Sequence, residues 1–135
     1  MASGRAVLSF MIPMLPIPWS RARGRGEHRF KPESLRDWQE VVKDAARQEM
    51  DIQGVEMVSR VEVEILVLYP SQVRLDRAPD LDNIAKGILD AMTGVVYPDD
   101  RPRWVGRLVV EAGIAGHPGE MGTYVSVIPW AVASR

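Results

Sequence analysis

Leu81, Ile84, Ala85, Ile88, Met92 and Val95 recur at intervals of three and four residues, and this single apolar stripe constrains the chain more than any other feature. A helix with one oily face must lie on another layer, so the stretch demands a partner surface elsewhere in the sequence. The opposite stripe carries Asp82, Lys86 and Asp90, each four residues from the next, so these side chains stack along the solvent side. Gly94 stands where a helix C-terminus takes a residue tolerant of positive φ. Val95, Val96 and Tyr97 then read as a short extended return, which Pro98 ends before a second acidic pair, Asp99 and Asp100. Asp80 and Asp82 open the helix. Two carboxylate clusters therefore flank one helix, and a tight return is expected to bring them face to face.

The partner layer is legible as strands. Ala6 to Leu15 is apolar on both faces before Pro13, which suits a covered strand. From Ser59 to Tyr69, Val61, Val63, Ile65 and Val67 alternate with Arg60, Glu62 and Glu64, so the two glutamates are expected on a solvated strand face. Leu108–Ile114 and Tyr124–Ile128 read as two further strands around a turn at His117-Pro118-Gly119-Glu120, and a hairpin between them is expected. His117 there is expected to be an exposed turn residue. A first helix starts near Ser34, read as its cap, and runs to about Met50 with Leu35, Trp38, Val41, Val42 and Ala45 on its buried face. The expected fold class is α+β, a single domain over 1–135 in the order β-α-β-α-β-β, with two helices packed on one mixed sheet.

Bulk properties narrow the chemistry. A chain of 135 residues that is 46% hydrophobic is long enough for one real core and too short for two. A formal net charge of −1 exerts no global pull on nucleic acid, so any such binding rests on local patches. The absence of cysteine excludes a disulfide framework, a thiolate metal site and a cysteine nucleophile. With only His28 and His117 as imidazoles, a zinc site is disfavoured. The N-terminal apolar run is broken by Pro13, Pro16 and Pro18, too early for a membrane span, and a cytoplasmic location is expected.

Carboxylates that converge repel one another unless a hard cation neutralises them, and an oxygen-rich site of this kind suits Mg²⁺ or Mn²⁺. Lys86, one turn beyond Asp82, adds a cation able to balance developing phosphoryl charge. That is the equipment of a metal-dependent phosphodiesterase. A plainer alternative explains the same letters: Asp80 as an N-cap, Asp82 and Asn83 as first-turn residues, Asp82–Lys86 as an ordinary surface pair, and Asp99–Asp100 as turn chemistry.

Positive charge gathers around the acids. Between Trp19 and Lys31 the chain carries Arg21, Arg23, Arg25, Arg29 and Lys31 against Glu27 alone. Arginines at alternate positions in a glycine-containing loop suit phosphate contact, and the flanking Trp19 and Phe30 could stack on bases or tuck into the core. Arg74 and Arg77 precede the first aspartates, and Arg101 and Arg103 follow the second pair beside Trp104.

Taken together, Arg77-Ala78-Pro79-Asp80-Leu81-Asp82-Asn83-Ile84-Ala85-Lys86, Leu89-Asp90-Ala91-Met92-Thr93-Gly94 and Asp99-Asp100 resemble the core of the RusA-type Holliday junction resolvases. In that family a D-L-D-N-x-x-K segment leads into an L-D-A-L-T-like helix end, and an acidic pair follows. The resemblance implies a small homodimeric, Mg²⁺-dependent endonuclease, with Mn²⁺ as a substitute, that cuts branched, four-way DNA by paired symmetric incisions in recombination and repair. It implies Asp80, Asp82, Lys86 and Asp100 as the catalytic set, the three aspartates as metal ligands, and Asn83 and Asp99 as supporting neighbours. Arg21, Arg23, Arg25, Arg74, Arg77, Arg101 and Arg103 are then expected to carry the DNA backbone. The N-terminal loop departs from the family in lacking the asparagine that usually follows its proline pair. Two rivals stand beside this expectation: a junction-binding protein without catalysis, and a metal-dependent phosphohydrolase acting on nucleotides or other DNA. A phage and a cellular setting are equally open.

Overall fold

The computed structural model describes residue 6 and residues 8–20, 33–56 and 59–130. The chain runs β1 (Leu8–Ile12), α1 (Glu33–Gln53), β2 (Val61–Tyr69), α2 (Gln72–Asp76), α3 (Leu81–Met92), β3 (Val105–Ile114) and β4 (Gly122–Pro129), with one 3₁₀ turn at Pro118–Glu120. The expected order β-α-β-α-β-β holds for the main elements, and the α+β class with it. The short helix α2 is an addition, falling where a plain loop was expected between Ser71 and Pro79. Ser71 caps it, its hydroxyl accepting from the Arg74 amide at 3.2 Å.

The four strands form one sheet in the order β1-β4-β2-β3. β2 is central: β4 pairs with it antiparallel and β3 pairs with it parallel. The hairpin expected between β3 and β4 is therefore not made. Instead β4 crosses past β2 and enters between β2 and β1, pairing β1 antiparallel from Leu8↔Val127 to Ile12↔Thr123. The reason is the character of β2. Its helix-side residues Val63, Ile65, Val67 and Tyr69 are at most 3% exposed, and so apolar a strand is best satisfied with ladders on both edges.

Both long helices lie on that face. α3 contributes Ile84, Ile88 and Met92, each fully buried, and α1 contributes Leu35, Trp38, Val42 and Ala46. The expected boundaries of α3 are matched, while α1 extends past Met50 to Gln53 before Gly54 turns the chain at φ 64°. Ser34 lies inside α1, beyond Glu33, and so does not cap it. Trp38 belongs to the core, as its spacing indicates. Beyond α3, Gly94 takes φ 83°, the left-handed conformation a side chain resists. The following residues form a turn rather than an extended return, held by the bridge between Thr93 and Tyr97 and by the Gly94 amide donating to the Tyr97 carbonyl at 2.7 Å. Tyr97 is thereby fully buried, and its hydroxyl donates to the Leu89 carbonyl at 2.9 Å.

The opposite face of the sheet corrects a second expectation. Glu62 is 6% exposed, not solvated, with its Oε2 3.5 Å from Arg107 Nε on the neighbouring strand. Glu64 stands one pleat along on the same face. A hydrogen bond with Glu62 pushes its carboxyl above the ordinary carboxylate range, and burial and the charges of Glu62 and Glu111 push the same way against Arg107. Parallel pairing sets this up, because it lays Arg107 beside Glu62 and Glu111 beside Leu66.

Two outcomes follow from this packing. Ile88→Ala removes a fully buried side chain at the helix–sheet interface and should cost about 2–5 kcal/mol of unfolding free energy in denaturant titration. For Glu64, a folded pKa raised above the unfolded one contributes stability that is present below the unfolded value and lost as pH rises through the folded one. Glu64→Gln should therefore raise the melting midpoint near neutral pH and change it far less in the acid range, as followed by circular dichroism.

Candidate active site

The site is organised by the first two turns of α3 and by what lies across them. Asp80 is the N-cap residue in an extended conformation, exposed, and its carboxylate makes no capping hydrogen bond. The first turn is closed by the backbone alone, with Asn83 and Ile84 amides donating to the Asp80 carbonyl at 3.1 Å each. Asp80 thus sits at a cap position without doing a cap's side-chain work. Asp82 is exposed on the same turn, and its Oδ1 accepts from the Asn83 amide at 2.9 Å. Both carboxylates lie at the positive end of the helix dipole.

Lys86 is one turn further on, with its side chain 47% exposed. Its ammonium is 3.8 Å from Asp90 Oδ1, so the stripe expected on the solvent face is real, but the lysine pairs forward with Asp90 rather than back with Asp82. Its other neighbour is Trp19, whose ring centroid is 5.0 Å from the ammonium. Trp19 is itself fastened to α3: its amide donates to the Asn83 carbonyl at 3.0 Å. Where a Cβ on Gly87 would stand, the Ile17 carbonyl oxygen is 3.5 Å away and the Trp19 amide nitrogen 3.6 Å away, so this extended segment runs tightly over the helix. From the other side, Gln39 of α1 donates to the Gly87 carbonyl at 2.9 Å, a buried cross-link between the two helices. Trp19 is half-buried against the core, the second of the two roles the sequence left open for it, and its ring also lies beside Lys86. Its contact with Lys86 was not legible from spacing, since the two residues meet only through the fold.

The second acidic pair divides its labour. Asp99 is committed to Arg101, with Oδ1 accepting from Nε at 3.0 Å and Oδ2 from Nη2 at 2.9 Å, while Oδ1 also takes the Arg101 amide at 3.0 Å. The guanidinium and amide hydrogen bonds hold this carboxyl below the usual carboxylate range. Asp100 is half-buried. Burial first, then the charges of Asp100 and Asp90, push the Tyr97 phenol far upward. Among the described residues no three carboxylate or imidazole side chains stand close enough to hold a metal ion together. The donors nonetheless fit a hard divalent cation in kind, being oxygen ligands on a helix start and an adjoining loop.

Of the arginines singled out from sequence, Arg74 and Arg77 are exposed on and just after α2, directly ahead of Asp80. Arg101 has its fork on Asp99, and Arg103 lies 5.5 Å from the Trp104 ring centroid. Arg21, Arg23 and Arg25 lie outside the described residues. Two basic residues not singled out, Arg36 and Lys43, line an open groove of about 210 Å³ between α1 and α3, with Gln39, Glu40 and Asp90 in the same wall. His117 is an exposed turn residue, 3.9 Å from Glu120, as its setting indicates.

Among the described residues no helix is long and apolar enough to cross a membrane. No curated protein matches the chain. Asp80, Asp82 and Lys86 thus share the exposed side of the start of α3, and Asp99 and Asp100 lie in the loop beyond its end. The model for endodeoxyribonuclease RusA matches residues 13–127, most of the sequence, and the chain belongs to that family of endodeoxyribonucleases.

Proposed function

We propose that the protein resolves four-way DNA junctions by hydrolysing phosphodiester bonds in paired, symmetric cuts, in the service of recombination and repair. The observation that carries this reading is the first turn of α3. Asp80 occupies a cap position with its carboxylate unused for capping, Asp82 is exposed beside it, and the Lys86 ammonium lies one turn on. A carboxylate that neither caps nor packs is better explained by chemistry than by stability.

Asp80, Asp82 and Asp100 would hold Mg²⁺, with Mn²⁺ as its substitute. When bound, that ion would lower the pKa of a water and offset charge on the scissile phosphate. The chain supplies the rest. The N-terminal dipole of α3 and Lys86 both favour an anionic phosphate over the first turn, and Lys86 meets the negative charge that builds as the phosphorus becomes five-coordinate. Asn83 holds the chain entering the site, through its carbonyl and the Trp19 amide. Asp99 holds the loop beyond Tyr97 in shape through Arg101, and Asp100 follows it in that loop. Arg74 and Arg77, with Arg103 and the arginines at 21, 23 and 25, would take the DNA backbone, and Arg101 would do so from its place on Asp99. A four-way junction has approximate two-fold symmetry, so an isologous homodimer carrying one site per subunit is the natural means of making matched cuts.

The deciding experiment is cleavage of a labelled mobile four-way junction beside duplex and single-stranded controls, with Mg²⁺ and with chelator. Metal-dependent symmetric nicks confined to the junction are expected. Equal cutting of linear DNA would remove the substrate claim and keep the nuclease. Junction binding with no cutting would overturn the catalytic reading. Asp80→Asn, Asp82→Asn and Asp100→Asn should each slow cleavage by at least about a hundredfold, the scale on which removal of a catalytic group acts, while junction affinity stays within a few-fold of native.

A further inference from the structure

Lys86 points in a direction that an isolated helix would not choose. Long side chains on a helix lean toward its N-terminus, over the preceding turn. An acid four residues before a lysine also makes a better pair than an acid four residues after it. Both tendencies send Lys86 toward Asp82. In the structure its ammonium is instead 3.8 Å from Asp90 and 5.0 Å from the centroid of the Trp19 ring. The Asp90 contact is loose and half-exposed, too weak a restraint to reverse two helix preferences alone. The indole is the more rigid partner. Its backbone is bonded to Asn83, its side chain is packed against the core, and the segment leading to it is pressed onto α3 at Gly87. Asn83, Lys86 and Gly87 lie three and four residues apart, so the segment ending at Trp19 follows the very stripe from which the lysine rises.

We infer that Trp19 is a positioning residue: its indole face holds the Lys86 ammonium clear of Asp82, so that the carboxylate is left for other work and the cation is fixed in place before DNA arrives. A flexible four-carbon side chain loses rotamer freedom whenever it is used, and a cation held over an aromatic face has lost part of that freedom already. Trp19 touches no reacting atom in this scheme and acts only through Lys86. The inference rests on the catalytic reading of Lys86 given above, but the Trp19–Lys86 contact itself can be read separately.

The test combines a mutant cycle with a spectroscopic arm. Single-turnover cleavage of a pre-bound four-way junction is measured for the native protein, Trp19→Leu, Trp19→Phe, Lys86→Met and Trp19→Leu with Lys86→Met. Trp19→Leu keeps apolar bulk and removes the aromatic face. It should slow cleavage by about threefold to thirtyfold, the rate equivalent of a cation–aromatic interaction, with junction affinity unchanged. Trp19→Phe, which keeps a smaller face and guards against a folding defect in the leucine variant, should recover most of the rate. In the Lys86→Met background Trp19→Leu should cost nothing further. An equal loss in both backgrounds would overturn the proposal, since a merely structural tryptophan behaves that way. In parallel, the Lys86 methylene protons should show an upfield ring-current shift in the NMR spectrum that Trp19→Leu abolishes. Absence of that shift would overturn the proposal whatever the kinetics. If Lys86→Met cleaves at the native rate, the catalytic reading of Lys86 falls, and the ring-current shift still decides whether Trp19 holds it.

Discussion

The seating of α3 in the core between the sheet and α1 is the constraint from which the site takes its form. Ile84, Ile88 and Met92 are fully buried, and each is worth about 1.5–3 kcal/mol of transfer free energy on the usual scale. With that face committed, the rotation of the helix is settled, and Asp82, Lys86 and Asp90 have only the solvent side available. α1 reinforces the arrangement through a polar contact as well as apolar ones. Gln39 is 7% exposed and donates to the Gly87 carbonyl, so a rolling of α3 would strand a buried amide. The carboxylates need no individual restraint to face outward, because the apolar stripe on the other side of the helix does the restraining.

Charge is managed differently at the two ends of this helix. At its start, Asp80 and Asp82 stand exposed at the positive end of the helix dipole. Beyond its end, Asp99 is neutralised by a two-pronged arginine. Tyr97 sits among these groups fully buried, and its phenol is pushed so far up that it stays a hydrogen-bond donor at any physiological pH. It therefore serves as a neutral strut between α3 and the acidic loop. Of the carboxylates that family resemblance assigns to chemistry, Asp80 makes no cap bond, whereas its supporting neighbour Asp99 is engaged by Arg101.

The parts of the structure that rest on a local period were readable in advance. β2 alternates and α3 repeats at three and four, and both were placed to within a residue or two, as were the solvent stripe and the core role of Trp38. What was not readable depends on pairs far apart in the chain. Two consecutive strands invite a hairpin, and nothing local in β3 or β4 says that β2 will lie between them. Glu62 and Glu64 alternate like solvated residues, but the parallel register sets Arg107 beside Glu62, where it can meet one buried carboxylate, while the other shares a hydrogen bond. Trp19 and Lys86 are separated by the whole of α1, β2 and α2, so no spacing rule could join them. α2 was missed for a different reason: five residues carry too little periodicity to register.

These long-range pairs make the chemistry of the first turn of α3 dependent on the N-terminal segment. A helix start with two aspartates and a lysine is, by itself, a common surface pattern, and its intrinsic pairing would be Asp82 with Lys86. That pair would cancel the two charges a phosphodiesterase needs kept apart, an anion to attract a metal and a cation to meet the phosphate. Laying Trp19 over the same stripe separates them at small cost, because the indole offers the ammonium an alternative that has no negative charge to neutralise it. Asp82, for its part, turns to the Asn83 amide, whose own carbonyl anchors Trp19. Asn83 thus links the acid and the aromatic through its two backbone groups. The D-x-D-N-x-x-K pattern is in this light a folding instruction as well as a source of charge: the aspartates and lysine supply the charges, and the residue between them fixes the segment that lies over the lysine.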